Sequence, residues 1–461
     1  MNARVPTLLL FAHAALSLAV AIRQGTYNRA ALACAVVACI VILCVAFGPA
    51  SNAKRDATPS PQAVALWLMA LALGAILGRP FGFAIALWFP PFVFAWNQIL
   101  LFGGMALLIA SFRPLSSRIS WGGIVFVIIG VATALRVLLL VASPDPPIDV
   151  FTMREDGAAA LLQGRNPYET PVRDLMGAER YGYTIENYVY PPATLFPDAV
   201  AIQLGGGVRM LSALADLVVC LILIGVARRR LPKLWRSPAA LLTAAPLLYS
   251  KGPFIMEQSW TEPLLLLALT LWWGLAVSGR ERAAAVAFGY FLALKQYLVF
   301  WVVAFVGYAL GRRRLSLIAI PPVVVFATVI PFLVWNLQAF IDYPIRWMFT
   351  ESFPFRTDSL SLPGLWFRMT GDVPPGTLAI AAGGVTAALL TWRWWRRGPV
   401  LGWREDVLVV GIAATLVAFL VGPQAFANYY YLMTNALILA IVGAGLNSPG
   451  PGGDGESVSR P

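Results

Sequence analysis

The chain has 461 residues, of which 59% are hydrophobic and only 12% charged, and its mean hydropathy is +0.74. Those figures exclude a soluble globular enzyme and leave an all-α polytopic membrane protein, because no water-facing surface accommodates so much apolar side chain. The net charge of +12 is no argument for a nucleic-acid partner: Arg and Lys fall in short clusters between apolar runs, where the positive-inside rule places them.

A membrane span needs about 20 apolar residues, somewhat fewer when its ends snorkel. Apolar runs occupy positions 7–22, 30–49, 62–78, 95–112 and 121–142, then 208–227, 237–250, 263–278, 283–294, 297–311, 315–335, 376–395, 407–421 and 429–445, which predicts about 14 crossings. The first run follows a single Arg but has no cleavage site and leads at once into another run, so it reads as a membrane helix rather than a signal peptide. His13 lies inside it, and a lone histidine there is expected to be incidental. Cys34, Cys39, Cys44 and Cys220 all sit in apolar runs without CxxC or Cys/His spacing, so neither a disulfide frame nor a zinc site is suggested.

Basic clusters follow at 53–55, at Arg113 and Arg118, at 228–236, 280–282 and 312–314, and at Arg393, Arg396, Arg397 and Arg404. Placing all of them in the cytoplasm gives a consistent alternation, with Arg23 and Arg29 as minor violations outside. The long loop 143–207, the 251–262 loop, a turn at Lys295, the second loop 336–375 and the 422–428 turn then lie together on the opposite face. The parity requires that 190–207, which carries three prolines and Asp198, not cross fully; a broken or re-entrant segment survives where protein satisfies its backbone. The reading divides the chain into an N-terminal transmembrane extension (1–120), a transmembrane core (121–445) and a Gly/Pro/Ser-rich cytoplasmic tail (446–461) expected to be disordered.

The stretch "PDPPIDVFTMREDGAAALLQGRNPYE" (144–169) concentrates acids immediately after an apolar run. Pro146 and Pro147 forbid helix, Thr152 to Glu155 reads as a capping box, and Gly164 closes the helix. Asp149 is expected just before that helix, where the dipole and Arg154 favour its ionised form and make it a candidate general base. An exposed loop acid is the plain alternative. Glu155 reads as a cap and Asp156 as a first-turn dipole partner, with Asp156 and Asp145 in reserve as acids.

Further along, Lys295 stands deep in apolar sequence. It either marks an external turn, where it suits a lipid phosphate, or pairs with a core acid within one long tilted helix. The turn "KGPFIMEQSWTEP" (251–263) supplies Glu257, Gln258 and Glu262, and the segments 351–366 and 424–433 add Arg356, Asp358, Asn428 and three tyrosines. Such groups line a sugar or headgroup site, or form an ordinary aromatic belt.

The order "DVF" at Asp149, "GRNPY" at 164–168, "YPP" at 190–192 and "ALKQY" at 293–297, with a Glu-Gln turn one hairpin earlier, resembles GT-C glycosyltransferases. It is similar in arrangement to bacterial polyprenyl-phosphate-mannose-dependent α-mannosyltransferases. The resemblance spans about 121–445. It implies a GT-C-like bundle with a long external first catalytic loop, in the plasma (inner) membrane, moving a hexose, with mannose favoured, from a polyprenyl-phosphate sugar to an envelope lipid or glycan with inversion.

In that scheme Asp149 is the base, with Asp156 as second candidate, and Lys295 contacts the departing phosphate. Arg154, Tyr190, Glu257, Gln258, Glu262, Arg356 and Asn428 contact substrate. No cofactor is implied beyond the lipid-linked donor, and the lack of a DxD pair in the loop agrees with a donor that needs no nucleotide-binding metal. The "RED" at 154–156 departs from the family pattern, which is more often neutral or aromatic there, and puts the acceptor side in question. The competing readings are a lipid-linked saccharide transporter, flippase or polymerase, and a non-catalytic scaffold.

Overall fold

The computed structural model describes residues 5–49, 58–77, 119–173, 185–347 and 355–446. The expected run at 95–112 and nearly all of the C-terminal tail lie outside them. Among the described residues the regular structure is helical, and the β geometry is an isolated bridge between Thr26 and Ser359. The principal helices are α1 (Val5–Arg23), α2 (Arg29–Ala46), α3 (Pro61–Leu77), α4 (Trp121–Ala142), α5 (Asp149–Leu162), α6 (Leu195–Gln203), α7 (Gly207–Arg230) and α8 (Gly252–Glu257). They continue with α9 (Glu262–Val277), α10 (Glu281–Leu294), α11 (Val299–Gly311), α12 (Ile320–Trp335), α13 (Leu362–Thr370), α14 (Thr377–Arg397), α15 (Trp403–Val421) and α16 (Ala427–Leu446).

Six described helices are long and apolar enough to cross a bilayer: α1, α2, α4, α7, the Leu315–Trp335 segment containing α12, and α16. Pro61–Gly74, Glu262–Val277 and Gln296–Gly311 are shorter apolar helices. Large apolar side chains point outward from these elements, Val141 at 76% exposure and Val334 at 82%. Such a surface is tolerated against lipid and not against water. The chain is therefore a multi-pass membrane protein.

One expected crossing takes a different form. The run at 237–250 is not one helix: a 3-10 segment at Pro238–Ala244, a four-residue turn at Ala245–Leu248 and α8 replace it. Pro238, Pro246 and Pro253 each remove a backbone donor and forbid a continuous ladder. The freed carbonyls of Pro246 and Leu247 are met by Arg136 of α4, at 3.1 and 3.3 Å. Irregular backbone at membrane depth persists here because protein satisfies it. The segment 190–207 holds a 3-10 turn at Pro192–Thr194 and then α6, whose nine residues extend about 13.5 Å, less than half of the roughly 30 Å hydrocarbon core. That helix alone is too short to span, and the segment is broken ahead of it, as its prolines predict.

Contacts divide the bundle into two ends. At one end Arg312 and Arg314 reach Glu281, Arg404 donates to Ala276 O, and Arg393 donates to Gly48 O. Trp403 packs where a side chain at Gly311 would stand, so the end of α11 meets the start of α15. At the other end Gly25 lies against Ala427, Leu360 N–H donates to Ala425 O, and Tyr27 N–H donates to Asp358 O at 2.7 Å. The helices α1 and α2, read as part of an N-terminal extension, pack directly on α16 and α15 and share the main core.

Several buried polar groups inside the spans are paired with one another. Arg136 Nη2 lies 3.2 Å from Asp216 Oδ2, and Tyr431 donates to Asp216 Oδ1. Trp67 Nε1 donates to His13 Nδ1 at 3.0 Å, tying α3 to α1. His13 thus has a packing role.

Candidate functional site

The described polar residues singled out in the sequence gather at the end opposite Arg312, Arg314, Arg393 and Arg404. Ile148 is the N-cap residue of α5 and offers no side-chain bond, so the helix begins at Asp149, one turn before the expected capping box. Asp149 is its first residue and accepts from Val150 N–H through Oδ1 at 2.7 Å. A carboxylate there is favoured in its ionised form by the helix dipole. Thr152 donates to Asp149 O instead of capping, and Glu155 Oε1 accepts from Val208 N–H at 3.0 Å. Glu155 is a cap, but of α7. Gly164, at φ +69°, closes α5 as expected.

Asp156 lies seven residues after Asp149, on the same helix face about 10 Å further along. Arg173 holds it through its backbone N–H at 2.8 Å and its Nε at 2.9 Å. Its observed role is to fasten the 165–173 loop to α5, not to act in a first turn. Within that loop Tyr168 donates to Tyr190 O at 2.9 Å and Asn187 donates to Tyr168 O. The "NPY" and "YPP" motifs are thereby locked together, and Asn336 ties Glu169 to the end of α12 at 2.7 Å.

Arg154 differs from its expected place. It is fully buried, Nε donates to Asp198 Oδ2 at 2.9 Å, Nη2 pairs with Asp198 Oδ1, and Nη1 donates to Ser259 O at 2.6 Å. Its charge is thus committed to Asp198 of α6. Burial pushes the Asp198 carboxyl up, and the Arg154 charge beside it pulls it back. This forked pair joins α5, α6 and the turn before α9.

Lys295 stands where α10 ends and α11 approaches, so the chain does turn there, and the lysine also pairs with an acid: Nζ lies 2.9 Å from Glu262 Oε1. The two readings of Lys295 each hold in part. The same carboxylate oxygen accepts from Tyr297 at 3.1 Å and from Asn428 Nδ2 at 2.9 Å. The ammonium lies 4.5 Å from the ring centre of Tyr190 and 5.9 Å from those of Tyr297 and Tyr429. Burial pushes the Lys295 ammonium below its ordinary value, and the Glu262 carboxylate beside it pulls it back up. Burial pushes the Tyr190 hydroxyl up, and the neighbouring Tyr429, Glu262 and Asp149 push the same way, so Tyr190 stands in the fields of both Asp149 and Glu262.

Glu257 and Gln258 are buried at the end of α8. Arg356 is held by both oxygens of Asp358 and lies 4.9 Å from the ring centre of Phe426, two residues before Asn428. Thus Tyr190, Glu262, Lys295 and Asn428 share one cluster, whereas Arg154, Asp156 and Arg356 serve neighbouring ion pairs. Sequence reasoning missed Tyr297, Gln296 and Asp198 as partners. Asp198 carried a usable signal, an acid in an otherwise apolar run; Tyr297 carried none. Among the described residues no group of three or more His, Cys, Asp or Glu side chains is arranged to hold a metal ion.

An apolar groove of about 430 Å³ runs down from this cluster between α10, α11 and α12. Phe288, Leu292, Val302, Phe326 and Val329 line it, together with Lys295, Gln296 and Pro191. Gln296 Nε2 donates to Val189 O at 3.3 Å and Pro344 O at 3.1 Å, pinning both loops over the groove head. No known family model, curated protein or solved structure matches the chain.

Proposed function

We propose that the protein is an integral-membrane glycosyltransferase that moves a hexose, with mannose favoured, from a polyprenyl-phosphate sugar to an envelope lipid or glycan acceptor. The observation that carries this reading is the apolar groove ending at a buried lysine. A polyprenyl phosphate is a long apolar chain with an anionic head, and the groove offers the matching sequence of environments. The resemblance to GT-C enzymes, with a bundle of about 14 crossings, supports the same assignment.

Catalysis in this scheme divides between two residues. The Asp149 carboxylate takes the proton of the acceptor hydroxyl as that oxygen bonds to the anomeric carbon. The bond from the anomeric carbon to the phosphate oxygen breaks, and the polyprenyl phosphate leaves with the electron pair. A sugar hydroxyl is far less acidic than a carboxylic acid, so proton transfer accompanies bond formation. Lys295 stabilises the charge developing on the leaving phosphate. Inversion follows from a single displacement. The basic residues Arg312, Arg314, Arg393 and Arg404 lie at the far end of the bundle, and in this scheme the positive-inside rule assigns that end to the cytoplasm and the site to the extracytoplasmic side of the plasma membrane.

The test is incubation of purified protein with a panel of polyprenyl-phosphate sugars and envelope lipid, with the product identified by mass. Transfer from at least one donor, lost in Asp149→Asn, is the expected result. Failure with every donor together with solute flux in vesicles would replace the transferase with a transporter.

A further inference from the structure

The turn between α8 and α9 carries polar atoms that its own protein does not satisfy. Gln258 Nε2, Ser259 Oγ, Thr261 Oγ1 and Glu262 Oε2 are buried and make no hydrogen bond within the protein. The side chains are 3%, 0%, 0% and 0% exposed, within five consecutive residues. Each such group costs about 1–3 kcal/mol when left unmade. Four together approach the whole stability of an ordinary domain, roughly 5–15 kcal/mol.

The backbone of this turn is held in an unfavourable shape. Ser259 has φ +57°, the left-handed region that a side chain resists. Its carbonyl is gripped by Arg154 Nη1, which Asp198 in turn locks from the other side. A buried ion pair therefore maintains the strained residue that presents the four groups, a pattern associated with preorganised ligand sites. Glu262 shows the same division of labour: Oε1 receives Lys295, Tyr297 and Asn428, while Oε2 receives nothing from the protein.

The chemistry of the four groups selects among ligands. Gln258 Nε2 only donates, an ionised Glu262 Oε2 only accepts, and the two hydroxyls do either. A phosphate offers only acceptors at neutral pH and would be repelled by Glu262 Oε2. Vicinal hydroxyls of a sugar both donate and accept, and match all four.

We propose that Gln258, Ser259, Thr261 and Glu262 form the subsite that grips the hydroxyls of the transferred hexose, beside Lys295 at the phosphate. The proposal rests on the glycosyltransferase reading and deepens it. Lys295 and the groove recognise any polyprenyl phosphate, whereas this turn recognises that a sugar is attached. Thr261 and Ser259 are then specificity-determining residues for the hexose.

The test measures binding of two short polyprenyl phosphates, one bearing mannose and one bearing no sugar, to the purified full chain and to Thr261→Val and Gln258→Leu. The wild type is expected to prefer the mannosyl lipid. Each variant should lose that preference by about fivefold or more, with unchanged affinity for the sugarless lipid. Ser259→Gly, which removes the hydroxyl and relieves the positive φ, should lose preference while gaining thermal stability. Variants that keep the wild-type preference would overturn the subsite and leave ordered water as the partner of these atoms. Equal wild-type affinity for both lipids would overturn the subsite and leave the lipid site standing. Binding of neither lipid would overturn the transferase reading and the subsite with it.

Discussion

Lys295 and Glu262 form an ion pair at 2.9 Å with side-chain exposures of 3% and 0%. Removing one partner of such a pair leaves an uncompensated buried charge, at a cost of about 3–5 kcal/mol, whereas replacing both with apolar groups is often neutral. Lys295→Met alone should lower the unfolding midpoint in detergent, and Lys295→Met with Glu262→Leu should restore most of it. Neither variant should transfer sugar. A double variant with full activity would remove Lys295 from the mechanism.

Asp149 and Asp156 share a helix face but have different partners. Asp149→Asn keeps the Oδ1 acceptor for Val150 N–H, so the fold should change by less than about 1 kcal/mol while transfer falls roughly 10²–10⁴-fold. Asp156→Asn weakens the tie to Arg173, and its transfer rate should stay within about threefold of wild type, since exposed pairs contribute little. Rate assays on both proteins, with unfolding curves alongside, decide between the two acids. The opposite ranking would move the base to Asp156.

The Arg154–Asp198 pair holds α5, α6 and the Ser259 turn together. Asp198→Asn is expected to destabilise the protein by about 3–5 kcal/mol and Arg154→Met by a similar amount. Because both changes break one interaction, their effects should be strongly non-additive in a double-mutant cycle. Additive losses would show that the two residues act separately.

The groove makes a prediction about substrate length. Val329→Trp places a large ring among residues lining it. Displacing even two methylene groups of a bound isoprenoid forfeits about 1.6 kcal/mol, more than tenfold in affinity. KM for a long polyprenyl donor should rise by at least that factor, with kcat little changed and with a smaller effect on a truncated donor. An unchanged KM would place the lipid elsewhere.

Tyr431 and Arg136 both address Asp216 inside the spans, where no water replaces a lost partner. Tyr431→Phe should cost about 1–3 kcal/mol in unfolding, and Asp216→Asn more, because it also leaves Arg136 uncompensated.

Much of this architecture was legible in the residues alone. Hydropathy reports a transfer free energy that depends on each residue type and its neighbours in the chain, so the multi-pass character and most helix positions follow from it. The closure of α5 at Gly164 and the broken segment before α7 were likewise readable, because glycine and proline act locally. Only the tertiary structure decided the partners. Nothing in the order of residues says that Arg154 takes Asp198, that Glu155 caps a helix more than fifty residues away, or that Arg136 satisfies the carbonyls of a proline-broken segment. Buried charges and freed backbone groups bond wherever folding brings a complementary atom within about 3 Å, and that proximity is a property of the packed bundle.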